Sequence, residues 1–204
     1  MLKKLFVCAL AVAAVFAIAS PASAAKPTKT TYSSATANAF WYFSDQLSNN
    51  TTRDVVWYIG AYRDDYGTWS DLYRTTTTCR YTGTKSRCTE SFAYGAIDNA
   101  NFTMASDLSS GHIDGTYVLE VYDANKRRSG TETVDAVTDL EGAGAIQTDS
   151  NSYTYKDDFI SIRGTFTGSW RPAEADATVN GVSLGETYDA NLSNSTQTET
   201  QRTK

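Results

Sequence analysis

From Ala39 onward the chain alternates apolar, aromatic and β-branched residues with polar ones at every second position. That repeat places one set of side chains on one face of an extended strand. Asp54–Tyr62 shows it most clearly. Val55, Trp57, Ile59 and Ala61 share one face, and Val56, Tyr58, Gly60 and Tyr62 share the other. The first set is purely apolar and is expected in the core. The second is aromatic and amphipathic, suited to a second layer or a wet groove.

Segments of the same kind are Ala39–Ser44, Asp71–Thr82, Lys85–Ala96, Asn101–Ala105 and Gly115–Asp123. Gly130–Leu140, Ala143–Thr148, Ser152–Lys156, Phe159–Trp170 and Ala175–Val182 follow. Gly, Asn, Asp and Ser clusters separate them, as hairpin connections require, and no dozen-residue window in this region carries a helical stripe. The expected fold is all-β: a single antiparallel domain over residues 39–192, a sandwich or a barrel with Greek-key or meander hairpins. Residues 25–38, small and polar with Lys26, Pro27 and Lys29, are expected to form a flexible lead. Residues 193–204 lack apolar spacing and are expected to be a disordered polar tail or an edge extension.

The N-terminus carries a different pattern. Lys3 and Lys4 precede an apolar run from Leu5 to Ile18, Pro21 breaks it, and Ala22-Ser23-Ala24 has the small-residue form a signal peptidase reads. Residues 1–24 are therefore expected to be a secretory signal, with the mature chain beginning at Ala25. The apolar run is short of the ~20 residues a spanning helix needs, and no later segment reaches that length, so no membrane span is expected after cleavage.

The whole chain carries a formal charge of −5, and loss of Lys3 and Lys4 with no acid takes it to −7. An acidic chain of this kind is a poor ligand for nucleic-acid phosphates. Cys8 leaves with the signal, so Cys79 and Cys88 remain as an even pair in an oxidising compartment.

Those two cysteines fix a hairpin. With Gly83-Thr84 as a two-residue turn, Thr82 faces Lys85, Tyr81 faces Ser86, Arg80 faces Arg87 and Cys79 faces Cys88. The cysteines then occupy a non-hydrogen-bonded pair, whose Cα separation of ~4.5 Å a disulfide accepts. Tyr73, Thr75, Tyr81, Phe92, Tyr94 and the disulfide share a face expected to be buried. Arg74, Arg80, Lys85 and Arg87 share the other. Arg80 opposite Arg87 either splays into water or brackets an acidic ligand.

No catalytic constellation emerges. His112 is the only imidazole and is expected on a surface loop, and there is no nucleophile elbow, zinc motif, calcium loop or phosphate loop. No metal or cofactor is expected. The acidic pairs Asp64-Asp65 and Asp157-Asp158 and the Glu132/Asp135 region leave a glycosidase as an alternative. One loop has the composition of a binding site: Asp64, Asp65, Tyr66, Trp69 and Asp71 set aromatic faces among carboxylates, as a glycan or a calcium ion needs. The competing expectation is that Trp69 plugs the end of the core, as Trp41, Trp57 and Trp170 are expected to fill it.

Leu108-Ser109-Ser110, Asp114-Gly115-Thr116-Tyr117-Val118 and Gly130-Thr131-Glu132-Thr133-Val134-Asp135 carry a family resemblance, as do Arg171–Val179 and Asn180–Gly185. In these stretches the chain resembles uncharacterised secreted β-rich proteins of high-GC Gram-positive bacteria. The resemblance implies bacterial export and an all-β domain, and it transfers no activity, ligand or site residue. The resulting expectation is a secreted, non-enzymatic protein that binds an extracellular glycan or a cell-surface component. A carbohydrate-active enzyme using paired carboxylates and a structural matrix or coat component are the alternatives.

Overall fold

The computed structural model describes residues 26–203. The expected signal segment, with Cys8, lies outside the described residues. The elements are β1 (Thr28–Ser48), β2 (Thr51–Asp64), β3 (Thr68–Thr82), β4 (Lys85–Asp98), β5 (Asn101–Met104) and β6 (Ser110–Tyr122). After them come β7 (Arg128–Gly142), β8 (Gln147–Lys156), β9 (Ile160–Val179), β10 (Val182–Ser183) and β11 (Asp189–Thr203).

The antiparallel pairings β1–β2–β3–β4–β6–β7–β9–β11 return to β1, so eight strands close a barrel in meander order. Of the two expected architectures, the barrel is the one formed. Closure removes the edges that an open sheet of this length would expose. Short β5 continues the line of β4 along β6, and β8 continues the line of β7 along β9.

Period two sorts the side chains as closure demands. Trp41, Ile59, Leu72, Ile113, Tyr117, Leu119, Val134, Leu140 and Leu192 point inward and are buried. Alanines at 35, 37, 39, 61, 93, 136, 175, 177 and 190 fill the spaces between them. An eight-stranded barrel has an interior just wide enough to be filled this way, so this one is a packed core rather than a channel. One polar link crosses it. The Ser70 hydroxyl donates to the Gly60 carbonyl at 2.6 Å, and with its single proton so used it accepts from the Tyr117 hydroxyl, also at 2.6 Å.

The two ends of the barrel are closed differently. At one end Arg74 binds Glu132 and lies 5.2 Å from the centre of the Trp57 ring. At the other, Leu108, held at φ 56° and fully buried, plugs the opening from the turn between β5 and β6. Beyond each end the long strands run on as sheet. The β3–β4 hairpin projects past one end, and β8, β9, β11 and the start of β1 form a four-stranded blade past the other.

Several expectations are corrected. The lead is not flexible over its strand portion: Thr28 onward is β1, paired with β11 and then β2. The C-terminal segment is not a tail: β11 runs to Thr203 between β1 and β9. Both segments are Thr- and Ser-rich, and cross-strand pairing on two sides supplies what their missing apolar residues do not. Residues 143–146 form a break between strands instead of the start of one.

The β3–β4 register matches the expected one from Thr82↔Lys85 to Cys79↔Cys88, with Gly83 at φ 60° and a Cys79–Cys88 disulfide at a Cα separation of 4.0 Å. Its faces are the reverse of those expected. Arg74 shares the inward face with buried Leu72 and Ala93, while Tyr81 and Tyr94 are exposed outside. Cys79 is itself buried, on the outer face. The hydrophobic aromatics drew the sequence-based assignment outward, because the small residues that fill the barrel give a weak signal.

Candidate binding face

Cross-strand register lays the outward residues of β1, β2, β3 and β4 in rows. Phe40, Tyr58, Tyr73 and Tyr94 form one row. The next is Asn38, Gly60, Asp71 and Ala96, and the third is Thr36, Tyr62, Trp69 and Asp98. A row of small and polar side chains therefore lies between two rows carrying large rings. The arrangement is a shallow face across four strands, three strand spacings or about 14 Å long, with the Tyr58 ring folded over its Gly60 position.

Each part has a local cause. Gly60 is needed because Tyr58 folds over it: a Cβ there would lie 2.2 Å from the Tyr58 hydroxyl oxygen and 2.9 Å from Asp71 Oδ1. Phe40 supports Tyr58 with ring centroids 4.8 Å apart, and Tyr62 supports Trp69 at 4.3 Å. Trp69 is 41% exposed and Tyr94 45% exposed, so both walls present ring surface to solvent. Such amphipathic rings bury apolar area against a ligand while holding little conformational entropy.

Asp71 sits half-buried on the floor. Burial raises its pKa above the ordinary carboxylate value. Tyr58 is pushed up to about 12, by burial first and then by the charges of Asp71 and Tyr94. The floor thus offers a poorly solvated acceptor and a phenol that stays protonated. Together they can bind hydroxyl groups.

Of the five residues expected to bind a ligand, the structure brings Trp69 and Asp71 together on this face. The other three serve the β2–β3 turn or its surroundings. Asp64 Oδ1 accepts from the amides of Tyr66 and Gly67, Asp65 Oδ2 accepts from the Ser33 amide, and Tyr66 stands 81% exposed at the tip. Trp69 does not plug the core, and Trp170 is 43% exposed on β9, contrary to expectation, whereas Trp41 and Trp57 are buried. Tyr58, Tyr62, Tyr73 and Tyr94 were not selected from sequence. The signal was the amphipathic second face of Asp54–Tyr62, which becomes a wall only once register aligns it with β3 and β4.

The remaining candidates are elsewhere. Arg80 and Arg87 face one another near the tip of the β3–β4 hairpin, both exposed, with no ion pair among the described residues. His112 is on strand β6 and not on a loop; its Nδ1 is 2.6 Å from Asp139 and its Nε2 3.8 Å from Asp114. It borders an open depression with Glu141, Glu174, Asp176 and Glu186, where Asp139 faces Asp176 and Glu141 faces Glu174. Those like-charge pairs are locally unfavourable. No group of three or more His, Cys, Asp or Glu positioned for a metal occurs among the described residues.

Glu132 is held by Arg74, Asp135 accepts from Thr116, and Asp157 accepts from the amides of Phe159 and Ile160. Compared with known proteins, the chain matches no family model, no curated protein and no solved structure.

Proposed function

We propose that this is a secreted binding protein whose outer face holds an extended neutral carbohydrate chain. The carrying observation is the placement of Asp71 between the tilted Tyr62–Trp69 ring pair and the Tyr73–Tyr94 row. Pyranose rings present apolar C–H faces and hydroxyl edges. The walls match the first and the floor matches the second. A shallow face open to solvent suits a polymer better than a small molecule, which needs enclosure on most sides.

Export is supported by the signal-like pattern of residues 1–24 and by the Cys79–Cys88 disulfide, since such bonds persist in oxidising compartments. Bacterial origin rests on the resemblance alone. The barrel's apolar residues point inward, and its outer face carries Asp71, Asp135, Asp139, Glu141, Glu174 and Asp176. A membrane-spanning barrel has the opposite polarity, which supports a mature protein outside the bilayer. A binding role without catalysis is supported by Asp64, Asp65, Glu132, Asp135 and Asp157, which are engaged in turns, an ion pair or cross-strand bonds.

The test is Asp71→Asn. Loss of a hydrogen bond to a charged acceptor is expected to weaken polysaccharide binding roughly 10- to 100-fold. The same substitution is expected to leave melting temperature at neutral pH unchanged or higher, because it removes a buried charge. Undiminished binding by Asp71→Asn overturns the assignment of this face.

A further inference from the structure

The blade formed by β8, β9, β11 and the start of β1 carries a second, unrelated surface. Its inward-parity face is built of hydroxyls: Thr31, Thr198, Thr165 and Ser152 form one cross-strand row, and Ser33, Thr196, Thr167 and Ser150 the next. Toward the free end the rows change. Lys29 and Thr200 lead to Arg163 and Thr154, and then Arg202 and Ser161 lead to Lys156.

Four cations are thus set into a field of hydroxyls. All four are exposed, and none makes an ion pair among the described residues. Glu199 and Asp149 alternate onto the opposite face, and no carboxylate occupies this one over the paired segments. The paired rows of this face thus carry four cations and no carboxylate in a chain of net charge −5, with Asp157 and Asp158 in the β8–β9 turn beyond Lys156.

We propose that this face binds a linear polymer of polyol phosphate, in which single phosphodiester charges alternate with hydroxyl-bearing linkers. Charge complementarity selects an anion, because exposed guanidinium and ammonium groups with no internal partner gain most from phosphate oxygens. Spacing selects the polymer. Lys29 and Arg163 are two strands apart, as are Arg202 and Lys156, so cations in a row are separated by about 10 Å with a hydroxyl between them.

A chain with one charge per repeat meets a cation at its phosphates and Thr or Ser at its linkers. A densely sulfated polysaccharide brings more charge than four cations balance. At the foot of the blade, Asp64 and Asp65 line a cavity of 320 Å³ with Ser33 and Thr196. Their charge keeps an anion to the distal rows.

The experiment measures binding of the mature protein to poly(glycerol phosphate) across a salt series, with dextran sulfate, single-stranded DNA and neutral dextran as further arms. Wild type is expected to bind poly(glycerol phosphate) most tightly and to lose affinity as salt rises. Arg163→Gln/Arg202→Gln is expected to weaken binding at least tenfold and to lower the salt slope by about two, one per phosphate contact removed. Lys156→Gln, at the blade's outer edge, is expected to lower the slope by about one. Trp69→Ala is expected to leave this binding unchanged, so the two faces are read separately. Wild-type affinity in the double variant overturns the proposal, as does preference for dextran sulfate or DNA, or no binding at low salt.

Discussion

Arg74 and Glu132, three strands apart around the ring, meet across one end of the barrel through two hydrogen bonds of 3.1 and 2.7 Å. The guanidinium also covers the Trp57 ring. Its plane therefore does two jobs that a lysine ammonium cannot do together. Arg74→Lys is expected to cost about 1 kcal/mol, and Arg74→Ala about 2 kcal/mol because the Trp57 ring is then uncovered and Glu132 loses its partner. Urea unfolding checks both, and equal midpoints for the three proteins would contradict the closure assigned to this pair.

Ser70 and Tyr117 give an asymmetric expectation. Tyr117→Phe removes a donor while Ser70 still satisfies Gly60, so the cost is about 1 kcal/mol. Ser70→Ala strands a phenol hydroxyl inside the core, at about 2–3 kcal/mol. Chemical denaturation of the two variants should show Ser70→Ala as the less stable, and the reverse order would refute the hydrogen-bond direction.

Tyr58 sets a limit at high pH. Its pKa rises from 10.0 to about 12 on folding, so the folded state holds this proton where the unfolded chain has released it. The associated stability is complete below pH 10 and is lost as pH rises toward 12. Each unit corresponds to about 1.4 kcal/mol, so the fall over that window is roughly 2–3 kcal/mol. Tyr58→Phe should flatten this part of the stability curve, and an unchanged slope would contradict the burial of the phenol.

The disulfide closes a hairpin that stands outside the core. Reduction is expected to cost roughly 2–3 kcal/mol by the chain-entropy account. The loss should concentrate in residues 80–87 while the barrel amides stay protected. Hydrogen exchange with and without reductant measures this. Free thiols in the native protein would remove its premise.

How much was legible follows from how side chains signal. The β3–β4 register was readable because a turn glycine and two cysteines constrain the same four pairs. The core face of Asp54–Tyr62 was readable because Trp57, Ile59 and Ala61 repeat without interruption. Ring closure was not, because β1 and β11 meet through Ala, Ser and Thr, whose alternation carries almost no hydrophobic contrast. The site was legible as chemistry and not as geometry. Trp69 and Asp71 were selected with their loop neighbours, yet they act two residues apart on one strand face. Their partners Tyr62 and Tyr94 come from strands that only register can place beside them.

The most direct measurement is binding of the mature protein to a panel of neutral polysaccharides, including cellulose, chitin, xylan and β-1,3-glucan. Wild type should bind at least one of them, with affinity rising with oligosaccharide length until the four-strand span is filled. Trp69→Ala/Tyr94→Ala, which strips a ring from each wall, should bind at least tenfold more weakly while keeping the wild-type melting temperature within a few degrees. A double variant that binds as wild type does, or a wild type that binds none of the panel, would contradict the account.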